Sequence, residues 1–403
     1  MSIRLHAKER SCKGPMDESQ RGIEGPLLQG IVLVNVAEML SPRCAMQLSH
    51  WSRSARLAVA SAGQHLDLGN GCVSGKKTCI TWRQRLLEME VQSQLLTKLL
   101  SGGSSTKDEC KRVCTDAARH LRREENIVAL AAPVVVVGSL RGEPQDLLTI
   151  FEISGPVPET SYLFLGDYTV SGPDPCGTLV LLLLLKARFP SRVTLLRGRH
   201  EQRQMTQVYG LHDACMRQFR SGGAEVWEAF CQCFDHMPIA AVVNEKIFCV
   251  HSGLAPEVET LEGLRHLDRH GDYGHEGPIA DMLWSDPAED VEGWGAAPKS
   301  CGYWFGEDIT TAFLKANNLE LMVRSKQLVV DGFAELHGGK CITVFSSSNV
   351  SFGNQAAVLH LDEDCNRTVQ TFREAKQPES ECFLLQGMMA DRLCPETRPH
   401  TPK

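Results

Sequence analysis

Between Leu87 and Leu121 apolar positions recur every three or four residues. Leu87, Val91, Leu95 and Leu99 form one stripe, "SGGSS" at 101–105 interrupts it, and Cys110, Val113, Cys114, Ala117 and Leu121 form a second. Residues three and four apart share a helix face, so the spacing predicts two amphipathic helices. Beyond them the period shortens. Six apolar runs follow, "VVVVGSLRG", "YLFLGDYTVSG", "VTLLRGRHE", "IFCVHSGL", "LMVRSKQ" and "ITVFSSSN", each turning into small or ionisable residues at its carboxyl end. Short runs of this kind predict strands, and helical stretches such as "TLVLLLLLKARF" and "EVWEAFCQCFDHM" lie between several of them. Strands whose carboxyl ends carry the polar residues gather a site along one sheet edge, which points to an α/β enzyme fold.

The ends of the chain lack this pattern. Residues 1–85 show little periodicity and read as an N-terminal extension whose order the pattern does not fix. The tail over 376–403, with Pro378, Pro395 and Pro399, reads as weakly ordered. The domain is therefore expected over 86–375.

Composition removes several function classes. With 403 residues, 42% hydrophobic and 23% charged, the chain is long enough to bury a sizeable core. A formal charge of −7 provides no basic surplus for nucleic acid or an anionic membrane. The sixteen cysteines are scattered without a CxxC pair, as expected of reduced intracellular thiols. "MSIRLHAKERSCKGPMDESQRG" is polar throughout, unlike a secretory leader, and the apolar run Leu179–Leu185 falls far short of the roughly 20 residues of a bilayer span. A cytoplasmic or nuclear location is expected, with proteins as partners and neither nucleic acid nor membrane among them.

Asp167, His200 and His251 carry the candidate chemistry, each just past an apolar run and close to a glycine. A single histidine at a strand end more often packs or caps than ligates. Together, a carboxylate and imidazoles are the residue types of a metal-assisted phosphoryl hydrolase, in which bound ions activate water and a further histidine protonates the leaving group.

Longer stretches carry a resemblance. "YLFLGDY", "LLRGRHE", "VYGLHDAC", "MPIAAVVNEKIFCVHSGLAPEVETLEGLRHLDR", "DMLWSDPAEDVEGWG" and "FSSSN" are similar to the phosphoprotein phosphatase family, closest to its type 1 serine/threonine phosphatases, over about residues 86–375. The resemblance implies a metallophosphoesterase-like β-sandwich of two mixed sheets flanked by helices. It also implies two divalent metals of the Mn, Fe or Zn type at the strand ends, and hydrolysis of phosphoserine and phosphothreonine.

The departures fall on the site. The family's GDxHG reads Gly138-Ser139-Leu140-Arg141-Gly142 here, without the Asp and His. GDYVDRG keeps Asp167 but has Val170 and Ser171 for the later Asp and Arg. RGNHE keeps the general-acid position as His200, with Arg199 replacing the metal-binding Asn. "HSGL" keeps His251, and RAHQ reads Arg324-Ser325-Lys326-Gln327, so lysine replaces a ligand. Cys301 stands at a phosphate-clamping arginine, and Val350 at the tyrosine of SAPNYCG. Among the metal ligands only Asp167 and His251 survive.

Charge decides what this implies. Two unit charges about 4 Å apart interact by about 4 kcal/mol at an effective dielectric of about 20, and a divalent ion doubles that. Arg141, Arg199 and Lys326 place cations where ions would sit, so the metals are expected to bind weakly or not at all. A pseudophosphatase is the expectation, with an active phosphatase centred on Asp167, His200 and His251 as the alternative. His200 is expected to be an inherited acid without a carboxylate to orient it, since Val170 accepts no hydrogen bond. Arg141, Arg199 and Lys326 either turn outward or pair with Asp167, Glu201 and each other's neighbours, filling the vacated volume as a buried ion cluster, or they hold a phosphate. Phosphatase regulatory subunits are a further class of partner. Ile247 and Leu321 keep their identity in the family's docking groove, whereas Glu335 and Arg367 replace apolar residues there.

Overall fold

Strand β2 (Val134–Val137) is buried along its whole length, and this double burial explains the fold. Val134 and Val136 pack into one apolar cluster, Val135 and Val137 into another. A strand covered on both faces reads as a continuous apolar run. The computed structural model describes residues 82–170, 172–297, 301–351 and 353–373. All of them except Trp82 and Arg83 belong to one compact unit. The readings made of residues 1–81, of Ser171 and of the tail from 376 lie outside the described residues.

With strands numbered along the chain, one sheet runs in the order β1 (Ile127–Leu130), β5 (Ala240–Val243), β6 (Ile247–Val250), β10 (Leu321–Arg324), β12 (Cys341–Val344) and β11 (Phe333–Leu336). The second runs β14 (Arg367–Phe372), β13 (Ala356–Leu361), β2, β3 (Tyr162–Phe164) and β4 (Val193–Leu195). A small third sheet holds β7 (Asp286–Pro287), β9 (Tyr303–Phe305) and β8 (Trp294–Ala296). Both large sheets are mixed. β1 pairs parallel to β5, and β10 parallel to β6 and β12, while β5–β6 and β11–β12 are antiparallel. β2, β3 and β4 run parallel, and β13 runs antiparallel to β2 and β14. All six apolar runs of the sequence are strands: β2, β3, β4, β6, β10 and β12.

The two sheets face each other across one cluster. Val134, Val136, Leu163, Leu165 and Leu359 from one sheet meet Ala241, Val243, Cys249, Val323 and Ile342 from the other. The outer face of the β2 sheet carries the helices Trp82–Leu100, Lys107–Leu121, Pro144–Ser154, Pro175–Arg188, Leu211–Phe219 and Gly223–Phe234. The outer face of the β6 sheet carries Pro278–Trp284 and Glu307–Ala316. The expected sandwich of two mixed sheets flanked by helices is the fold.

Local chemistry starts and stops these helices. Thr106 and Glu109 form a reciprocal capping box at the start of Lys107–Leu121, whose expected stripe is wholly buried. In the preceding helix the expected stripe is corrected: Val91 is exposed, and the packing face is Leu95, Leu96 and Leu100 with Leu99 partly buried. The side chain of Leu87 lies outside the description. In Pro175–Arg188, Asp174 accepts the Gly177 N–H at 2.8 Å, and Leu179 to Leu185 are all buried. Lys186 closes that run as a buried cation, bonded to Glu124 and donating to Val193 O at 2.9 Å. The described cysteines are free thiols, most of them buried. No helix among the described residues is long and apolar enough to cross a membrane.

Candidate functional site

Every candidate residue follows the carboxyl end of a strand: Ser139 after β2, Asp167 after β3, His200 after β4, His251 after β6, Lys326 after β10 and Ser346 after β12. A bridge between Ser139 and Phe345 joins the ends of the two sheets at this edge. Gly166 lets the loops converge. Its φ is 102°, and a Cβ there would lie 2.5 Å from Gly198 Cα and 2.9 Å from His251 Nδ1. Glu201 fastens the loops by accepting the N–H groups of Asp167, Tyr168 and Gly198 at 2.8–3.0 Å. Burial and the charge of Asp167 push its carboxyl up to about 8, against the pull of these donors.

Asp167 is the centre. Its Oδ1 accepts the backbone N–H of His200 at 3.1 Å and lies 3.3 Å from His251 Nε2. Its Oδ2 lies 2.9 Å from His200 Nδ1 and 3.5 Å from Arg199 Nε. His251 Nδ1 donates to Leu165 O at 2.7 Å, which turns its Nε2 toward Asp167. Asp167 Oδ2, His200 Nδ1, His251 Nε2 and Arg199 Nε are all buried, and none makes a well-directed hydrogen bond. Although burial works to raise it, His200 and His251 hold the Asp167 carboxyl well below its usual range. Burial lowers His200, against the charge of Asp167.

One expectation is overturned. Val170 is buried and offers His200 nothing, but His200 does not lack a carboxylate, because Asp167 itself stands at its Nδ1. The Tyr209 ring packs edge-on to His200, with centroids 4.7 Å apart, and is 42% exposed. The sequence reading treated Tyr209 as framework; it borders the site.

The three cations take different places. The Arg199 guanidinium lies beside Asp167 and over the Trp284 ring, with its carbon 5.1 Å from the centroid and its side chain 15% exposed. Lys326 turns away to Asp286, 2.8 Å from Oδ2, and to Trp284 O. Arg324 shares that carboxylate at 2.7 Å. Burial brings the Lys326 ammonium down to about 8, against the pull of Asp286. Arg141 is half-buried at φ 56°; its backbone N–H donates to Asp167 O at 2.9 Å, and its guanidinium has no hydrogen bond or ion pair among the described residues. Arg199 thus stands beside Asp167 as one alternative expected, whereas the carboxylate that holds Lys326 is Asp286, not Asp167 or Glu201.

Hydroxyls occupy the other side of the edge. Ser139 Oγ lies 3.0 Å from Ser325 Oγ, Ser139 N–H donates to the same oxygen at 2.8 Å, and Gly138 N–H donates to Ser346 Oγ at 2.7 Å. The sequence reading missed this network and the role of Asp286. Cys301, at the expected arginine position, donates its thiol to His275 O at 3.2 Å, and Val350 is exposed. In the expected docking groove Ile247 and Leu321 face each other in register and are buried, while Glu335 and Arg367 are exposed.

These donors do not fit a dinuclear metal centre. Each ion needs several oxygen or nitrogen ligands. Here one carboxylate and the imidazole of His251 share their space with a guanidinium, and a serine pair stands at the other position. Among the described residues no group of three or more His, Cys, Asp or Glu is poised around an ion.

Residues 132–325 match the family described as Metallophos, calcineurin-like phosphoesterase. A protein serine/threonine phosphatase from Saccharomyces cerevisiae, with similarity to human phosphatase PP5, superposes with a TM-score of 0.66 at 29% identity, over 71% of this chain and 98% of that one. A cold-active protein-tyrosine phosphatase of a psychrophilic Shewanella species superposes with a TM-score of 0.44 at 15% identity, over 62% of this chain and 84% of that one.

Proposed function

Because the chain belongs to the phosphoprotein phosphatase family, within the calcineurin-like phosphoesterases, we propose that it is a non-hydrolytic member that acts by binding other proteins. The family works with two divalent ions that activate water. The observation carrying the proposal is Arg199, whose Nε lies 3.5 Å from the surviving carboxylate of Asp167. A fixed positive charge at that distance opposes a divalent ion at the same oxygens. Ser139 adds to this, since its hydroxyl is already bonded to Ser325. The partners of such a domain are phosphoproteins that meet the surface around the strand ends, or phosphatase regulatory subunits that dock away from it.

One observation favours a second reading. His251 Nε2 and Asp167 Oδ2 are buried without well-directed partners, and His251 Nε2 lies 3.3 Å from the other oxygen of that carboxylate, so both could serve a single ion. A hydrolase with one metal would use them, with His200 as acid. Elemental analysis of the full chain after incubation with manganese, alongside a phosphoserine hydrolysis assay, separates the two. The non-hydrolytic reading expects far less than one ion per chain and no hydrolysis. Tightly held manganese with manganese-dependent hydrolysis would replace it with the second.

A further inference from the structure

We propose that Arg122, His236 and His270 form a proton-operated clasp, which holds residues 270–273 against the helical layer while both imidazoles are neutral and lets them go in acid. The clasp uses none of the strand-end residues and stands apart from the non-hydrolytic reading.

The direction of the hydrogen bonds is the first ground. Arg122 caps the carboxyl end of the helix Lys107–Leu121, His236 lies two residues past Gly223–Phe234, and His270 is on the loop that precedes Pro278–Trp284. Arg122 Nε lies 2.8 Å from His236 Nε2, and His236 Nδ1 lies 3.1 Å from His270 Nδ1. A guanidinium only donates. His236 Nε2 is therefore the bare nitrogen, its ring proton sits on Nδ1, and His270 Nδ1 is left to accept it. One arginine thus fixes the tautomers of two histidines. Protonating His236 puts a hydrogen on Nε2, against the Arg122 donor. Protonating His270 puts one on Nδ1, against the His236 donor. Either event replaces an acceptor with a donor, and protons reach both rings, since His236 is half-buried and His270 exposed.

Charge is the second ground. Arg122 faces His236 from the helix end, and Arg269 and His270 face it from the loop. The neighbouring carboxylate, Asp235, is already shared between Arg203 at 3.1 Å and Arg197 at 3.6 Å. On the loop, Asp268 accepts the backbone N–H of His270 at 3.0 Å. Burial, with the charges of Arg122 and His270, lowers the His236 imidazole from its ordinary value, against the pull of Asp235. The unfolded imidazole titrates near ~6.5, so the hold is complete above about that pH and is lost as the pH falls below it.

The loop has a fixed end and a free one. Arg269 is buried, and its guanidinium donates to Asn126 Oδ1 at 2.7 Å, to Leu121 O at 3.1 Å and to Glu124 O. Past it, Gly271 has φ 104° with open space where a Cβ would stand, so the chain can turn there. Its N–H reaches Asp235 O at a long 3.4 Å. Beyond Gly271 the loop leans on the segment that carries His200. Arg197 donates to Gly271 O at 2.8 Å and lies over the Tyr273 ring, 4.8 Å from its centroid. Tyr273 OH donates to Arg199 O at 3.3 Å, and Gln202 donates to Tyr273 O. Opening of the clasp therefore loosens the loop beyond Arg269 and with it the grip of Tyr273 on residues 197–202.

Hydrogen–deuterium exchange on the full chain, in buffer with chelator and corrected for the intrinsic pH dependence of exchange, tests the proposal between pH 7.5 and 5.5. Amides over 270–273 should exchange about tenfold faster for each pH unit below ~6.5, as one proton taken up on opening requires, while those of β2 stay unchanged. The double variant His236→Gln, His270→Gln keeps a donor and an acceptor at each position with no proton to bind, and should lose that acceleration. Arg122→Gln keeps the donor without the charge, and should move the onset to higher pH. Exchange over 270–273 that is flat with pH in the parent, or acceleration undiminished in the double variant, overturns the proposal. Acceleration shared equally by β2 reports unfolding of the whole domain and overturns it too. If the double variant does not fold, Arg122→Gln decides alone: no shift, or a shift to lower pH, overturns the clasp.

Discussion

The ammonium of Lys326 lies 2.8 Å from Asp286 Oδ2, and Arg324 approaches the other oxygen of the same carboxylate at 2.7 Å. Two buried cations are thus held by one acid from the neighbouring loop. Removing that acid strands two buried charges, and breaking a buried pair costs about 3–5 kcal/mol. Asp286→Ala should lower the free energy of unfolding in urea by about that amount. Lys326→Met, which leaves Arg324 on Asp286, should cost under about 1.5 kcal/mol, as a volume-conserving change does. Equal losses in the two variants would contradict this division of roles.

Metal uptake should require several reversals together. In Ser139→Asp, Arg141→His, Arg199→Asn and Lys326→His combined, the lost donors return and the opposing cations leave. Elemental analysis should find at least one manganese per chain in that variant and almost none in any single one. A single Arg199→Asn chain that fills with manganese would show that one guanidinium alone bars the ion.

Burial and the nearby Glu257 push Asp281 up to about 6. The folded chain therefore holds this proton more tightly than the unfolded one, whose carboxyl titrates near ~4. The stabilisation is fully present below about pH 4 and is lost as the pH rises through about 6. Asp281→Asn should flatten the change in stability across that window, and at pH 7.5 it should be about 1 kcal/mol more stable than the parent. Unchanged denaturation profiles from pH 4 to 7.5 would contradict it.

Leu183 is fully buried among the leucines of Pro175–Arg188. Leu183→Ala leaves a cavity under the β2 sheet and should cost about 2–5 kcal/mol. A urea midpoint within error of the parent would mean that the layer collapses to fill it.

Much of the fold was legible because its strands are covered on both sides. "VVVV" in β2 and "IFCV" in β6 are unbroken apolar runs for that reason, and their ends announced where the site lies. The helix Trp82–Leu100 was legible as a helix but not in its packing face: Val91 fits the periodic stripe yet is exposed, because the neighbouring helices cover the turn around Leu95 and Leu100. In the site, Asp167, His200 and His251 were identifiable as residue types at strand ends. Their mutual arrangement was not. Val170 suggested a histidine without a carboxylate, and only the fold brings Asp167 to within 2.9 Å of its Nδ1. Asp286 stood in "LWSDP" with no sign that it would hold Lys326, forty residues later in the chain.

Ser139 and Ser325 come from different sheets, as do Gly138 and Ser346, and each pair is joined at the same edge. Hydroxyl and amide groups therefore stitch the two halves of the sandwich together at the edge where the candidate residues gather. The register of one sheet against the other is thus fixed there by short polar side chains, and a change at any of these serines would be felt in both sheets at once.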